Sequence, residues 1–84
     1  MKMWPDAKGR LHDLRRWLEA VASDAARDRA QDDGMLSEAG KLYDEHFLDG
    51  EQSAALSELG DALRGGAPIV PVLAERCLRL IHPA

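Results

Sequence analysis

The chain has 84 residues, 45% of them apolar and 31% charged, with a net charge of −4. A chain this short buries only about 60–65% of the surface its unfolded form exposes. It holds one core, with no room for a core plus a deep catalytic cleft. Its single cysteine, Cys77, cannot form an internal disulfide, so the usual staple of small secreted domains is missing. No apolar run approaches the length of a membrane span, and the first residues turn polar at once, without a secretory segment. These features predict a cytoplasmic protein with no membrane partner.

Residues 1–8 read as an extended lead, because Pro5 disfavours helix at Trp4. A single helical domain is expected over residues 9–84. From Gly9, Leu11, Leu14, Leu18, Val21 and Ala25 recur at steps of three and four and fall on one stripe. Alanine-rich sequence carries this first helix to about Ala30. Asp32-Asp33-Gly34 then reads as a break.

A second helix is predicted from Met35, with Leu36, Ala39, Tyr43 and His46/Phe47 on its inner face and Leu42 beside them. Gly40 weakens it by about 1 kcal/mol relative to alanine, and suggests a close approach by another helix. Phe47-Leu48-Asp49-Gly50 ends the element. Asp49 is a good N-cap for the third helix, and Gln52 stands at the capping-box spacing. Ala55, Leu56, Leu59, Ala62 and Leu63 make the buried face of that helix, and Gly65-Gly66 stops it.

Ile69, Val70 and Val72 favour strand, but Pro71 would interrupt a strand ladder and suits a first helical turn. The fourth helix is therefore placed from Pro71 to about Ile81. The expected fold is all-α, a compact bundle of about four short helices with neighbours roughly antiparallel. Its expected core is Leu11, Leu14, Leu18, Val21, Leu36, Leu42, Tyr43, Phe47, Leu56, Leu59, Leu63, Leu73, Cys77, Leu80 and Ile81.

Charge is unevenly spread along the chain. Residues 1–16 carry five bases against two acids, net +3. Residues 17–63 carry three bases against twelve acids, net −9, and residues 64–84 carry three bases against one acid, net +2. Acids at helix starts favour the helix dipole, and a charged surface keeps a small domain soluble. An acidic face is also what a basic partner surface would dock against.

No chemical motif is complete. Cys77 and His82 have no partners at zinc-site spacing. Setting Gly50 as the glycine of a calcium loop leaves Phe47 third and Leu56 twelfth, where oxygen ligands belong. Tyr43, Asp44 and His46 lack a nucleophile in context, and Gly65-Gly66 lacks the lysine of a phosphate loop. Neither an enzyme, a metal nor a cofactor is expected.

The leading expectation is a small acidic protein-binding module of the inhibitor, immunity or adaptor type. It would dock a protein with a basic surface through a central acidic face, with Asp32, Asp33, Asp44, Glu45, Asp49, Glu51 and the anchor Trp4 as contacts. One alternative is a self-associating structural subunit, a homodimer. The other is a small nucleic-acid-binding regulator using Lys8, Arg10, Arg15 and Arg16, which the acidic middle disfavours.

Overall fold

The computed structural model describes residues 7–81, which form four helices and, among those residues, no strand. Helix α1 spans Ala7–Ala22 and begins two residues before the expected start. The rest of the expected extended lead lies outside the described residues. The predicted stripe holds: Leu14, Leu18 and Val21 are buried and Leu11 packs against the core. Trp17 is buried with them.

The helix stops eight residues earlier than its alanine content suggests. Asp24 adopts a left-handed conformation (φ 57), and the Ala25 amide donates to the Ala20 carbonyl at 2.9 Å while the Asp24 amide donates to that of Val21. This is the Schellman termination, with aspartate where glycine is commoner. Ala25, placed on the stripe by spacing, is exposed in the turn.

Helix α2 runs Arg29–Asp44, so Asp32-Asp33-Gly34 lies inside a helix and does not break one. Asp28 is the N-cap, its side chain accepting from the Gln31 amide at 2.7 Å. Asp32 sits in the first turn, where a carboxylate suits the positive end of the helix dipole.

Two expected core residues of this region are at the surface: Tyr43 is 44% and Phe47 45% exposed. The reason is the end of α2. His46 turns the chain through a left-handed conformation (φ 69), with the Phe47 amide donating to the Leu42 carbonyl. That turn delivers Leu48 to the core in place of Phe47, at 4% exposure.

A histidine in this conformation carries strain that glycine lacks. His46→Gly is therefore expected to stabilise the fold by about 0.5–1 kcal/mol, the relief being partly offset by the greater freedom of unfolded glycine. Thermal unfolding followed by circular dichroism should show it as a rise of about 2–8 °C.

Helix α3 (Gly50–Gly65) begins as expected. The Gln52 amide donates to Asp49 Oδ1 and the Asp49 amide to Gln52 Oε1, both at 2.8 Å. It ends on Gly66 in the left-handed region, the Ala67 amide reaching the Ala62 carbonyl. The close helix approach occurs at Gly60 and not at Gly40. A methyl at Gly60 would stand 3.3 Å from Leu36, whereas nothing lies near Gly40. Helix α4 (Val70–Leu80) takes Pro71 into its first turn and buries Leu73, Ala74 and Cys77, with Ile81 following.

The helices close a ring in which α1 and α3 each touch α2 and α4, the α1–α4 seam being the broadest. Arg10, early in α1, meets Glu38 in the second half of α2 and Glu45 at its C-cap, while Trp17 meets Asp32 near the start of α2, so the pair is antiparallel. Gln52 reaches the Leu80 carbonyl and Glu58 meets Arg76, which sets α3 and α4 antiparallel too.

Candidate interaction surface

The six acids proposed from sequence do not form one face. Asp32 is spoken for: it accepts from Trp17 Nε1 at 2.9 Å and from Arg27 Nε at 2.8 Å, in a half-buried site. Asp33 is exposed on α2, about 16 Å along the helix from Asp44 at a rise of about 1.5 Å per residue. Glu45 accepts from Arg10 Nη1 at 2.8 Å and Nη2 at 3.2 Å. Asp49 caps α3 through one oxygen. Asp44 and Glu51 are exposed and take part in none of the ion pairs among the described residues. Farther along α3, Glu58 pairs with Arg76 and Asp61 with Arg64.

The proposed bases divide the same way. Arg10 is clamped between Glu38, at 2.6 Å, and Glu45. Arg15 donates Nη1 to the carbonyl oxygens of Leu78 and Ile81 at the end of α4. Arg16 is exposed on α1. Trp4 and the side chain of Lys8 lie outside the described residues.

What the fold does bring together is a corner where α2 ends and α3 begins. This junction carries the exposed residues Asp44, Asp49 and Glu51 and the half-exposed residues Tyr43 and Phe47. Lys41 stands one turn before Asp44, and Glu45 faces away toward Arg10. The aromatic members were assigned to the core by helical spacing. No local signal separates Phe47 from Leu48, since the left-handed turn at His46 decides which enters. The start of α2 did have a signal: Asp28 and Gln31 repeat the Asp-x-x-Gln spacing of Asp49 and Gln52.

The Glu45 carboxyl is held below its ordinary range, chiefly by its hydrogen bonds to Arg10. Arg10 is correspondingly held more firmly protonated by the same bonds and by those to Glu38. A carboxyl whose folded pKa is depressed favours the fold above its unfolded pKa, and that contribution is lost as pH falls through the folded value. The thermal midpoint should therefore fall as pH drops below about 4.5, and Glu45→Gln should flatten that fall. A titration of the midpoint from neutral to acid pH checks it.

Burial pushes the Cys77 thiol up to about 11, and it lies inside the core, which marks it as a packing residue. Every buried side-chain nitrogen and oxygen among the described residues has a hydrogen-bond partner. Among the same residues no group of His, Cys, Asp and Glu is arranged to hold a metal ion, and no helix is long and apolar enough to cross a membrane. Comparison of the chain with known protein families, curated proteins and solved structures finds no match.

Proposed function

We propose that this chain is a non-enzymatic protein-binding module, of the inhibitor, immunity or adaptor kind, acting in the cytoplasm. It docks a basic surface of another protein through the corner between α2 and α3. The observation that carries this reading is that the α2–α3 junction exposes two aromatic residues, Tyr43 and Phe47, and two carboxylates, Asp44 and Glu51, that enter no ion pair among the described residues.

Burying aromatic side chains supplies binding energy at interface centres, tyrosine and tryptophan most of all. Carboxylates around them raise the encounter rate with a basic surface and reject an acidic one. Acids at the other end of α2 and along α3 are excluded from the contact set because they are paired internally or too distant. The reading of Lys8, Arg10, Arg15 and Arg16 as nucleic-acid contacts loses support for the same reason, since Arg10 and Arg15 are engaged inside the fold.

The test is affinity capture from nuclease-treated cell extract at moderate salt, followed by association kinetics on the captured protein. Asp44→Lys with Glu51→Lys reverses two charges without replacing the cap at Asp49 or the pair at Glu45. It is expected to slow association about tenfold or more at low salt. Tyr43→Ala with Phe47→Ala is expected to speed dissociation. A partner bound equally well by both variants would overturn the assignment.

A further inference from the structure

We propose that α2 is a latched helix. It detaches and unwinds as one unit while α1, α3 and α4 stay folded together, and the Arg10 clamp sets how often it does so.

The apolar hold on α2 is smaller than that on any other helix. Of its 16 residues only Ala39 and Leu42 are buried, whereas α1 buries Leu14, Trp17, Leu18 and Val21 and α4 buries three residues in a shorter helix. Met35 and Leu36 add partial cover. The helix is also weak in itself. Gly34 and Gly40 lie in its interior with nothing close enough to require them, and glycine opposes helix formation through its freedom in the unfolded chain. The other three helices are joined without it: α4 packs along both α1 and α3, and Arg15 and Gln52 bind those two helices to carbonyls at its end.

Polar contacts make up the difference. Arg10 reaches from α1 to Glu38 at 2.6 Å and to Glu45 at 2.8 Å, so one guanidinium holds two carboxylates at once. Trp17 donates to Asp32, which Arg27 also holds. Asp32 is in the first turn of α2 and Glu45 is its C-cap, so these contacts fasten the helix at both ends.

The connections on either side of α2 are strained. Among the described residues, the non-glycine residues with positive φ are Asp24, in the segment before it, and His46, in the turn after it. The left-handed conformation is unfavourable for both, and it relaxes when α2 leaves. Strain of this kind gathers at segments that switch. Opening uncovers the side of the core that Ala39 and Leu42 close, an apolar surface hidden at rest.

Native-state hydrogen exchange of the full chain in low urea tests this, because amides freed in one concerted opening share one urea dependence. The amides of residues 35–43 are expected to share such a dependence and to be protected at least about tenfold less than those of residues 56–60 in α3. Arg10→Gln is expected to speed their exchange about tenfold. Arg15→Lys changes the same helix α1 at its seam with α4, and is expected to speed exchange at residues 77–80 while leaving α2 as it was. Gly34→Ala with Gly40→Ala puts both methyl groups in open space and is expected to slow α2 exchange about tenfold or more. That variant gains stability, so misfolding cannot account for its behaviour.

The proposal is overturned if residues 35–43 exchange as slowly as α3 and respond to Arg15→Lys as α4 does, since the chain would then open only as a whole. It is equally overturned if their exchange ignores urea or the two alanine substitutions, since no concerted unwinding of α2 would then take place. Neither outcome depends on what binds at the α2–α3 junction.

Discussion

Replacing Trp17 by alanine is expected to cost about 3–5 kcal/mol, the range for deleting a buried large aromatic side chain. The indole is 3% exposed at the meeting of α1 with the core, and its Nε1 donates to Asp32. Its loss would leave a cavity and free one acceptor of a carboxylate already held by Arg27. A domain of this length has a total stability of about 4–12 kcal/mol, so the variant should lie near or past the edge of folding at room temperature.

Trp17→Phe keeps most of the ring and loses the hydrogen bond, and should cost about 1–2 kcal/mol. Urea unfolding of the two variants separates the packing contribution from the polar one. A cost below about 1 kcal/mol for the alanine variant would show that Trp17 does not anchor α1 to the core and to the start of α2.

Arg15→Ala is expected to cost about 2–3 kcal/mol and to loosen the end of α4. The last carbonyls of a helix have no intrahelical donors, and the negative end of its dipole favours a cation. Arg15 supplies both needs, through Nη1 to the Leu78 and Ile81 carbonyls, across the seam between α1 and α4. Hydrogen bonds from charged donors are worth about 1.5–3 kcal/mol each, and sharing one nitrogen keeps the sum toward the lower end.

Arg15→Lys keeps the charge with a shorter reach, so it should recover about half of the loss. Urea unfolding reads the global cost. Amide hydrogen exchange at residues 77–81 reads the local one, and should speed up more than exchange in α3. Equal acceleration everywhere would mean that α4 does not fray at that end on its own.

Much of the architecture rests on short-range rules. The spacing of Leu11, Leu14, Leu18 and Val21 puts them on one side of any helix they form, and that side is buried. Asp49 and Gln52 satisfy each other's backbone amides within one turn, and Gly66 accepts a left-handed conformation without strain. These interactions act over four residues or fewer, so the sequence carries them whole. α3, the helical reading from Pro71 to about Ile81 and the all-α class were legible for that reason.

The boundary between α1 and α2 is set differently from the expected one, although Asp28 and Gln31 carry the local spacing of a cap at the start of α2. Asp32 can break a helix, stabilise its first turn or pair with a base, and the residue alone favours none of these. The left-handed turn at Asp24 ends α1 and the Asp28 cap starts α2, which puts Asp32 in a first helical turn, where it meets Trp17 and Arg27. Tyr43, Phe47 and Leu48 pose a similar choice, settled by one left-handed residue that is usually glycine and here is histidine.

Charge shows the divide most plainly. Counting along residues 17–63 gives −9, but Arg10 takes up Glu38 and Glu45 from another helix, and Arg15 is bound to carbonyls more than sixty residues away. By itself, then, the sequence determined the elements whose caps and stripes are local, and the number of charges. Tertiary structure alone decided which charges stay free and which apolar residues stay outside, because those depend on partners that only the folded chain brings within reach.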